Sequence, residues 1–213
     1  MSIEPGKIRG LYGITPELSD TADLLGRVRS AFLGGMSVLQ YRVKFLEISL
    51  RLKQLKQLRA LCDEFGAPLI LNDGVLPEWE GGLHVGLEDA HPEEWPQLAN
   101  RRLLGVSCYA DLKRAQAAEA AGAAYIALGC FFPSTTKPEA SPATLDILRA
   151  SRAQLRIPIV VIGGITPARV TELRAAGADA VAVLSGLFDA PDITGRARSM
   201  PRILNDLEWV GRV

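Results

Sequence analysis

The chain has 213 residues, of which 48% are hydrophobic and 23% charged, so a large core can form and global disorder is excluded. Its 24 Lys and Arg balance 24 Asp and Glu, and this zero net charge argues against nucleic acid or a membrane surface as partner. Cys62, Cys108 and Cys130 are scattered and form no C-x-x-C pair, which argues against a zinc site or a disulfide framework.

In chain order, short apolar runs alternate with helical patterns. Gly10–Thr15 reads as the first strand, and Thr21–Phe32 as an amphipathic helix stopped by Gly34-Gly35. Val38–Arg42 is the second strand, followed by a long helix from about Leu46 to Phe65 that Gly66 closes. Pro68–Asp73 is strand three. The stretch Val75–Glu80 contains Pro77 and supports only a short turn or helix. Leu83–Gly86 is strand four, and Pro92–Leu98 starts a helix. Arg102–Cys108 is strand five, before the alanine-rich helix Asp111–Ala121. Tyr125–Gly129, a loop and a helix from about Pro142 to Gln154 follow. Pro158–Gly164 is strand seven, and Thr166-Pro167 caps and opens a helix ending near Ala176-Gly177. Val181–Ser185 is strand eight, and a last helix lies within Ile193–Leu207.

Eight strand–helix units predict an α/β fold, a (β/α)8 TIM barrel, with an open doubly wound sheet as the alternative. The strands are apolar on both faces, as parallel strands buried between a barrel interior and helices must be. The phrases Glu119–Tyr125 and Arg174–Ala180 echo each other: each is a helix end, a glycine stop and a strand start. One domain over 1–213 is expected. The first ten residues carry no apolar signal region, and no run reaches the roughly 18 apolar residues of a membrane helix, so a cytoplasmic location is the expectation.

Barrel active sites lie at the C-terminal ends of the strands. Those ends carry Gln40, Arg42 and Lys44 after strand two, Asn72-Asp73 after strand three and Glu88-Asp89 after strand four. Ser107 ends strand five, and Ser134, Thr135, Thr136 and Lys137 lie in the loop after strand six. Gly163-Gly164 follow strand seven, and Ser185 ends strand eight. Arg42, Lys44 and Lys137 can bind several negative charges, and arginine grips phosphate oxygens with two parallel hydrogen bonds. Asp73 and Asp89 are hard oxygen ligands suited to magnesium, which binds through one or two carboxylates and substrate phosphates. Gly163-Gly164 and Ser185 sit where barrels commonly cradle a phosphate with backbone amides. Two anion sites, one with metal and one without, suggest a diphosphate substrate meeting a monophosphate substrate.

Seven motifs in order resemble those of thiamine-phosphate synthases. They are Leu11–Thr15, Gln40-Tyr-Arg-Val-Lys44, Pro68-Leu-Ile-Leu-Asn72-Asp73, His84-Val-Gly-Leu-Glu-Asp89, Gly105-Val-Ser107, Phe132-Pro-Ser-Thr-Thr-Lys-Pro138 and Ile162-Gly-Gly-Ile165. The resemblance runs from about Gly10 to Phe188. It implies that Gln40, Tyr41, Arg42, Val43 and Lys44 hold the diphosphate of hydroxymethylpyrimidine diphosphate, and that Asn72, Ser107 and Lys137 contact the same substrate. It implies Mg2+ on Asp73 and Asp89, and the thiazole phosphate on Ser134, Thr135, Thr136, Gly164, Leu184 and Ser185. The implied reaction is dissociative: diphosphate leaves, and the thiazole nitrogen attacks a pyrimidine methylene cation. Arg42, Lys137 and Ser107 are the expected catalytic residues, and the partners are these two small molecules. The chain departs from the pattern at Val43, Leu87, Cys130 and Ser134, and in a shortened segment between Asp73 and Asp89.

The rival of the same fold is a thiazole tautomerase, which resembles the chain in the barrel and the phosphate end. Its catalytic histidine falls where Cys130 lies. Generic phosphate-binding barrel isomerases and aldolases show a strand-end Schiff-base lysine or a general-base carboxylate pair, and neither is clear here; a non-catalytic binding protein is the third rival. The loop 133–141 is expected to act as a lid. His84, inside a strand pattern, is expected to support the site rather than contact substrate. The sequence does not set the oligomeric state, and a homo-oligomer stays open.

Overall fold

The structure is a computed structural model that describes residues 8–72, 79, 81–132 and 143–200. Eight parallel strands close into a barrel in sequence order. They are β1 (Gly10–Ile14), β2 (Met36–Tyr41), β3 (Leu69–Asn72), β4 (Gly82–Val85), β5 (Leu104–Tyr109), β6 (Tyr125–Gly129), β7 (Ile159–Ile162) and β8 (Ala180–Val183). β8 returns to β1 with Ala180 beside Gly10 and Val183 beside Gly13, which closes the sheet. The barrel expectation holds, and the open-sheet alternative does not.

Apolar runs that look continuous in sequence separate here into two faces, because successive strand residues point to opposite sides. Tyr12, Ile14, Val38, Ile70, Tyr125, Ala127, Val160, Ala180 and Ala182 fill the barrel interior. Their neighbours Leu11, Leu39, Leu69, Leu71, Leu83, Ile126, Leu128, Val161 and Val181 pack outward against the helices.

Those helices are α1 (Thr21–Leu33), α2 (Ile48–Phe65), α3 (Trp95–Ala99), α4 (Leu112–Ala120), α5 (Leu145–Gln154), α6 (Pro167–Ala175), α7 (Ser185–Phe188) and α8 (Ile193–Ser199). α1 shows the local logic. The Asp20 carboxylate accepts the Ala22 and Asp23 amides, and the buried stripe Leu24, Val28, Ala31, Phe32 recurs at helical spacing. Asp111 caps α4 and Thr144 caps α5 in the same way. Gly66 ends α2 with φ of +64°, a conformation that a side chain would strain.

Three local expectations change. Ser185 does not end a strand: β8 stops at Val183, the Leu184 backbone turns away from the extended region, and Ser185 opens the one-turn helix α7. The helix expected over Pro92–Leu98 divides into a 3-10 turn, Pro92–Glu94, and α3, with Pro96 breaking the continuous amide ladder. Thr166 holds the N-cap position of α6, but its side chain makes no capping hydrogen bond, so Pro167 alone sets that start. The segment Val75–Glu80 lies outside the described residues apart from Trp79.

Candidate active site

The C-terminal strand ends gather most of the described candidates on one rim. Gln40, the last residue but one of β2, is buried inside the barrel, where its Nε2 donates to the Tyr12 hydroxyl at 3.0 Å. The next residue faces the other way. Tyr41 packs outward, and its hydroxyl donates to Oε1 of the fully buried Gln54 on α2 at 2.7 Å. Val43 also packs into the outer core, so any role of Tyr41 or Val43 at a ligand falls to their backbone.

Arg42 is half-buried and Lys44 exposed, and neither charge has an ion-pair partner among the described residues. Their backbone is held from β1. The Arg42 amide donates to Thr15 Oγ1 at 3.0 Å. The Glu17 carboxylate accepts the amides of Lys44, Phe45 and Leu46 at 3.2, 2.6 and 3.1 Å. Gln54 Nε2 donates to the Leu18 carbonyl at 2.8 Å, so α2 braces the same loop from below.

Asn72 ends β3 beside His84 of β4 and is 8% exposed. Asp89 lies on the exposed turn after β4, and its Oδ2 accepts the Gly86 amide at 2.5 Å. Ser107 sits near the end of β5, where the pairing with β6 slips between Ser107 and Tyr109. Tyr109 there adopts φ of +56°, unusual for a residue with a bulky side chain, and bulges of this kind re-aim side chains beside active sites. Arg114 of α4 ties the two strand ends together. Its Nε donates to the Ser107 carbonyl at 2.8 Å, its Nη2 to the Gly86 carbonyl at 3.2 Å, and its guanidinium lies 4.7 Å from the Trp95 ring centroid.

Gly163 and Gly164 follow β7 with φ of +107° and +59°. A side chain at Gly163 would run into Cys130. Leu184 lines the interior cluster at the β8 end, and Ser185 opens α7, whose first amides have no partners within the helix. Asp73, Ser134, Thr135, Thr136 and Lys137, with the rest of the expected lid, lie outside the described residues.

Behind the rim, buried polar groups join across the barrel. Tyr12 and Tyr125 hydroxyls lie 2.8 Å apart, the Tyr125 hydroxyl is 3.0 Å from His84 Nδ1, and His84 Nε2 is 2.9 Å from Ser107 Oγ. Burial pushes the His84 pKa down to about 4, against a weaker upward pull from Asp89, so the ring is neutral at neutral pH. Burial also raises both tyrosines well above the usual phenol range, and both remain protonated. The support role expected of His84 matches this placement. Thr15, Glu17, Gln54, Arg114 and Tyr125 carry no mark of a role in the sequence, because each acts through a contact that only the folded barrel makes.

A family model described as thiamine monophosphate synthase matches residues 11–187. The chain is 48% identical over 199 residues to a thiamine-phosphate synthase of Bordetella avium, covering 89% of this chain and 92% of that one. It is 43% identical over 198 residues to a thiamine-phosphate synthase of Thiobacillus denitrificans, covering 91% and 94%. In structure it is similar to the thiamine phosphate pyrophosphorylase from Pyrococcus furiosus, with a TM-score of 0.83, 29% identity, and 95% and 98% of the two chains covered. With the family matched across almost the whole barrel and its relatives aligned nearly end to end, the chain belongs to the thiamine monophosphate synthase family and is a transferase of thiamine biosynthesis.

Proposed function

We propose that this enzyme condenses hydroxymethylpyrimidine diphosphate with the phosphate of hydroxyethylthiazole to give thiamine phosphate and diphosphate. The observation that carries the reading is the end of β2. Arg42 and Lys44, without ion-pair partners among the described residues, present two cations on a backbone pinned by Thr15 and Glu17, on the same rim as Asn72 and Ser107. A pinned backbone fixes where the two cations emerge, so the segment need not reorganise to meet a polyanion.

The reaction breaks the bond between the pyrimidine methylene carbon and the diphosphate oxygen, and the electron pair leaves with diphosphate. The thiazole nitrogen then gives its lone pair to that carbon. Arg42, Lys44 and Lys137 stabilise the charge growing on the leaving oxygens, and Ser107 adds a hydrogen bond. The second anion site comprises Gly164, Leu184 and Ser185 with Ser134, Thr135 and Thr136, and it holds the thiazole phosphate in line. Proximity supplies the rest of the rate, so no nucleophilic side chain is required.

Magnesium fits the donor chemistry of Asp89. Its exposed carboxylate uses one oxygen on Gly86, and a hard cation that also binds substrate phosphate needs few protein ligands. Asp73 would complete the pair. Bound there, the metal would neutralise diphosphate charge as it develops. The tautomerase alternative finds no support at Cys130, whose Sγ lies 3.1 Å from the Phe132 carbonyl.

The test is product formation from the two substrates with and without magnesium. Metal-dependent release of diphosphate with thiamine phosphate is the expected result. A folded protein that binds the thiazole phosphate but makes no product would overturn the reading. Asp73→Ala is expected to cut turnover far more than it shifts melting, and wild-type turnover in that variant would remove Asp73 from the metal site.

A further inference from the structure

The interior carries more hydrogen-bonding chemistry than barrel packing requires. Five side chains from five strands form one line: Gln40 on β2, Tyr12 on β1, Tyr125 on β6, His84 on β4 and Ser107 on β5. Gln40, Tyr12, Tyr125 and His84 are buried, while Ser107 is half-buried at the rim. The fold makes room for the line. A side chain at Gly105 would collide with the Tyr125 ring, and the His84 and Tyr125 rings stack with centroids 5.6 Å apart.

Such a line has a direction. Each tyrosine hydroxyl has one proton, and a neutral imidazole donates from one nitrogen and accepts at the other. Gln40 Nε2 can only donate, so Tyr12 accepts there, and the buried Tyr12 proton finds its one acceptor among the described residues in the Tyr125 oxygen. Tyr125 must then donate to His84 Nδ1. The remaining His84 proton is therefore on Nε2 and is given to Ser107 Oγ. Ser107 accepts from behind, and its own proton is left for a group at the mouth. Reversing the three bonds from Tyr12 to Ser107 would turn Ser107 into a donor toward the interior and leave the buried Tyr12 proton without an acceptor, since the Gln40 bond cannot reverse.

We propose that Tyr12, Tyr125 and His84 are positioning residues that lock His84 as its Nε2–H tautomer and so fix Ser107 as a hydrogen-bond donor to an acceptor atom of the bound pyrimidine diphosphate. The substrate clause rests on the function proposed above; the polarity of the line does not. The neutral His84 ring supports this polarity, since an imidazolium would donate from both nitrogens and break the line at Tyr125.

The experiment labels the histidine ring nitrogens with 15N in the full chain. The only other histidine is His91, which a His91→Gln variant removes from the spectrum. A protonated Nε2 and an unprotonated Nδ1 at His84 are expected, and the opposite tautomer overturns the proposal. Tyr125→Phe keeps the ring shape and deletes the donor to Nδ1. It is expected to lose the single tautomer and to raise KM for the pyrimidine diphosphate roughly tenfold, the scale of one hydrogen bond. Tyr12→Phe should act in the same direction from one step further back.

Combined with Ser107→Ala, Tyr125→Phe should add almost nothing, because both act through one hydroxyl. Multiplying effects would mean that Tyr125 only packs, and would overturn the positioning role. Wild-type protein with the Nε2–H tautomer but no thiamine phosphate would instead overturn the assigned reaction, and with it the substrate clause alone.

Discussion

Glu17 has no signature in the sequence, where it reads as one more acid in a strand-to-helix loop. Its carboxylate nevertheless takes three consecutive amides, Lys44 to Leu46, starting at the second cation of the pair that follows β2. A carboxylate with that many N–H donors fixes a loop better than any neutral acceptor, because each bond carries charge. Glu17→Gln halves the acceptor capacity and turns an NH2 group toward the amides. We expect KM for the pyrimidine diphosphate to rise roughly tenfold with a smaller change in kcat, since about one hydrogen bond's worth of loop order is lost. Steady-state kinetics over both substrates checks this. An unchanged KM with an intact fold would mean that the loop holds its shape without Glu17.

Helix α4 acts on the site at the scale of elements. Arg114 holds the carbonyl of Ser107 on β5 and that of Gly86 beyond β4 while stacking on Trp95 of α3, so three elements meet in one guanidinium. Lysine cannot reproduce a planar fork that serves two carbonyls and a ring face. Arg114→Lys should therefore behave almost like Arg114→Ala. We expect either variant to lose about 2 kcal/mol of stability and to need more magnesium for half-maximal rate, because the turn that carries Asp89 hangs on Gly86. Urea unfolding and a magnesium titration of the rate measure the two effects. A lysine variant equal to wild type in both would reduce Arg114 to a surface cation.

Elements were legible in the sequence wherever an apolar run met a breaker. Gly66 marks the end of α2 and Gly122 follows α4, and β6 falls on Tyr125–Gly129 as expected. Four residues such as Ser185–Phe188 hold too little periodicity to announce a helical turn. Rim residues were legible because chemistry at strand ends follows from the barrel itself. The supporting groups were not. Tyr12 and Tyr125, 113 positions apart, read as core aromatics until the closed sheet points both hydroxyls at one line.

The barrel as a whole has two interiors with different physics. The layer between sheet and helices is apolar almost throughout, whereas the closed interior buries Gln40, His84 and two phenols together with aliphatic side chains. A titratable ring in that second space couples the fold to pH. His84 has its pKa lowered from 6.5 to about 4 by burial, so between those values the unfolded chain binds a proton that the native chain refuses. Stability therefore rises with pH across that window and is lost as pH falls through it. A tenfold difference in proton affinity between the two states is worth about 1.36 kcal/mol, so the loss between pH 7.5 and 5 is about 2 kcal/mol. The Glu64 carboxylate, lowered from 4.5 by its hydrogen bond from Arg29, loses its stabilising contribution only below that range, which leaves the upper window to His84. Urea unfolding at pH 7.5 and pH 5 should show this loss in the wild type and most of it abolished in His84→Gln, a variant with no proton to gain. Equal slopes in the two proteins would place the imidazole in contact with water. The buried, single-tautomer ring that supports Ser107 would then have to be abandoned along with the pH dependence.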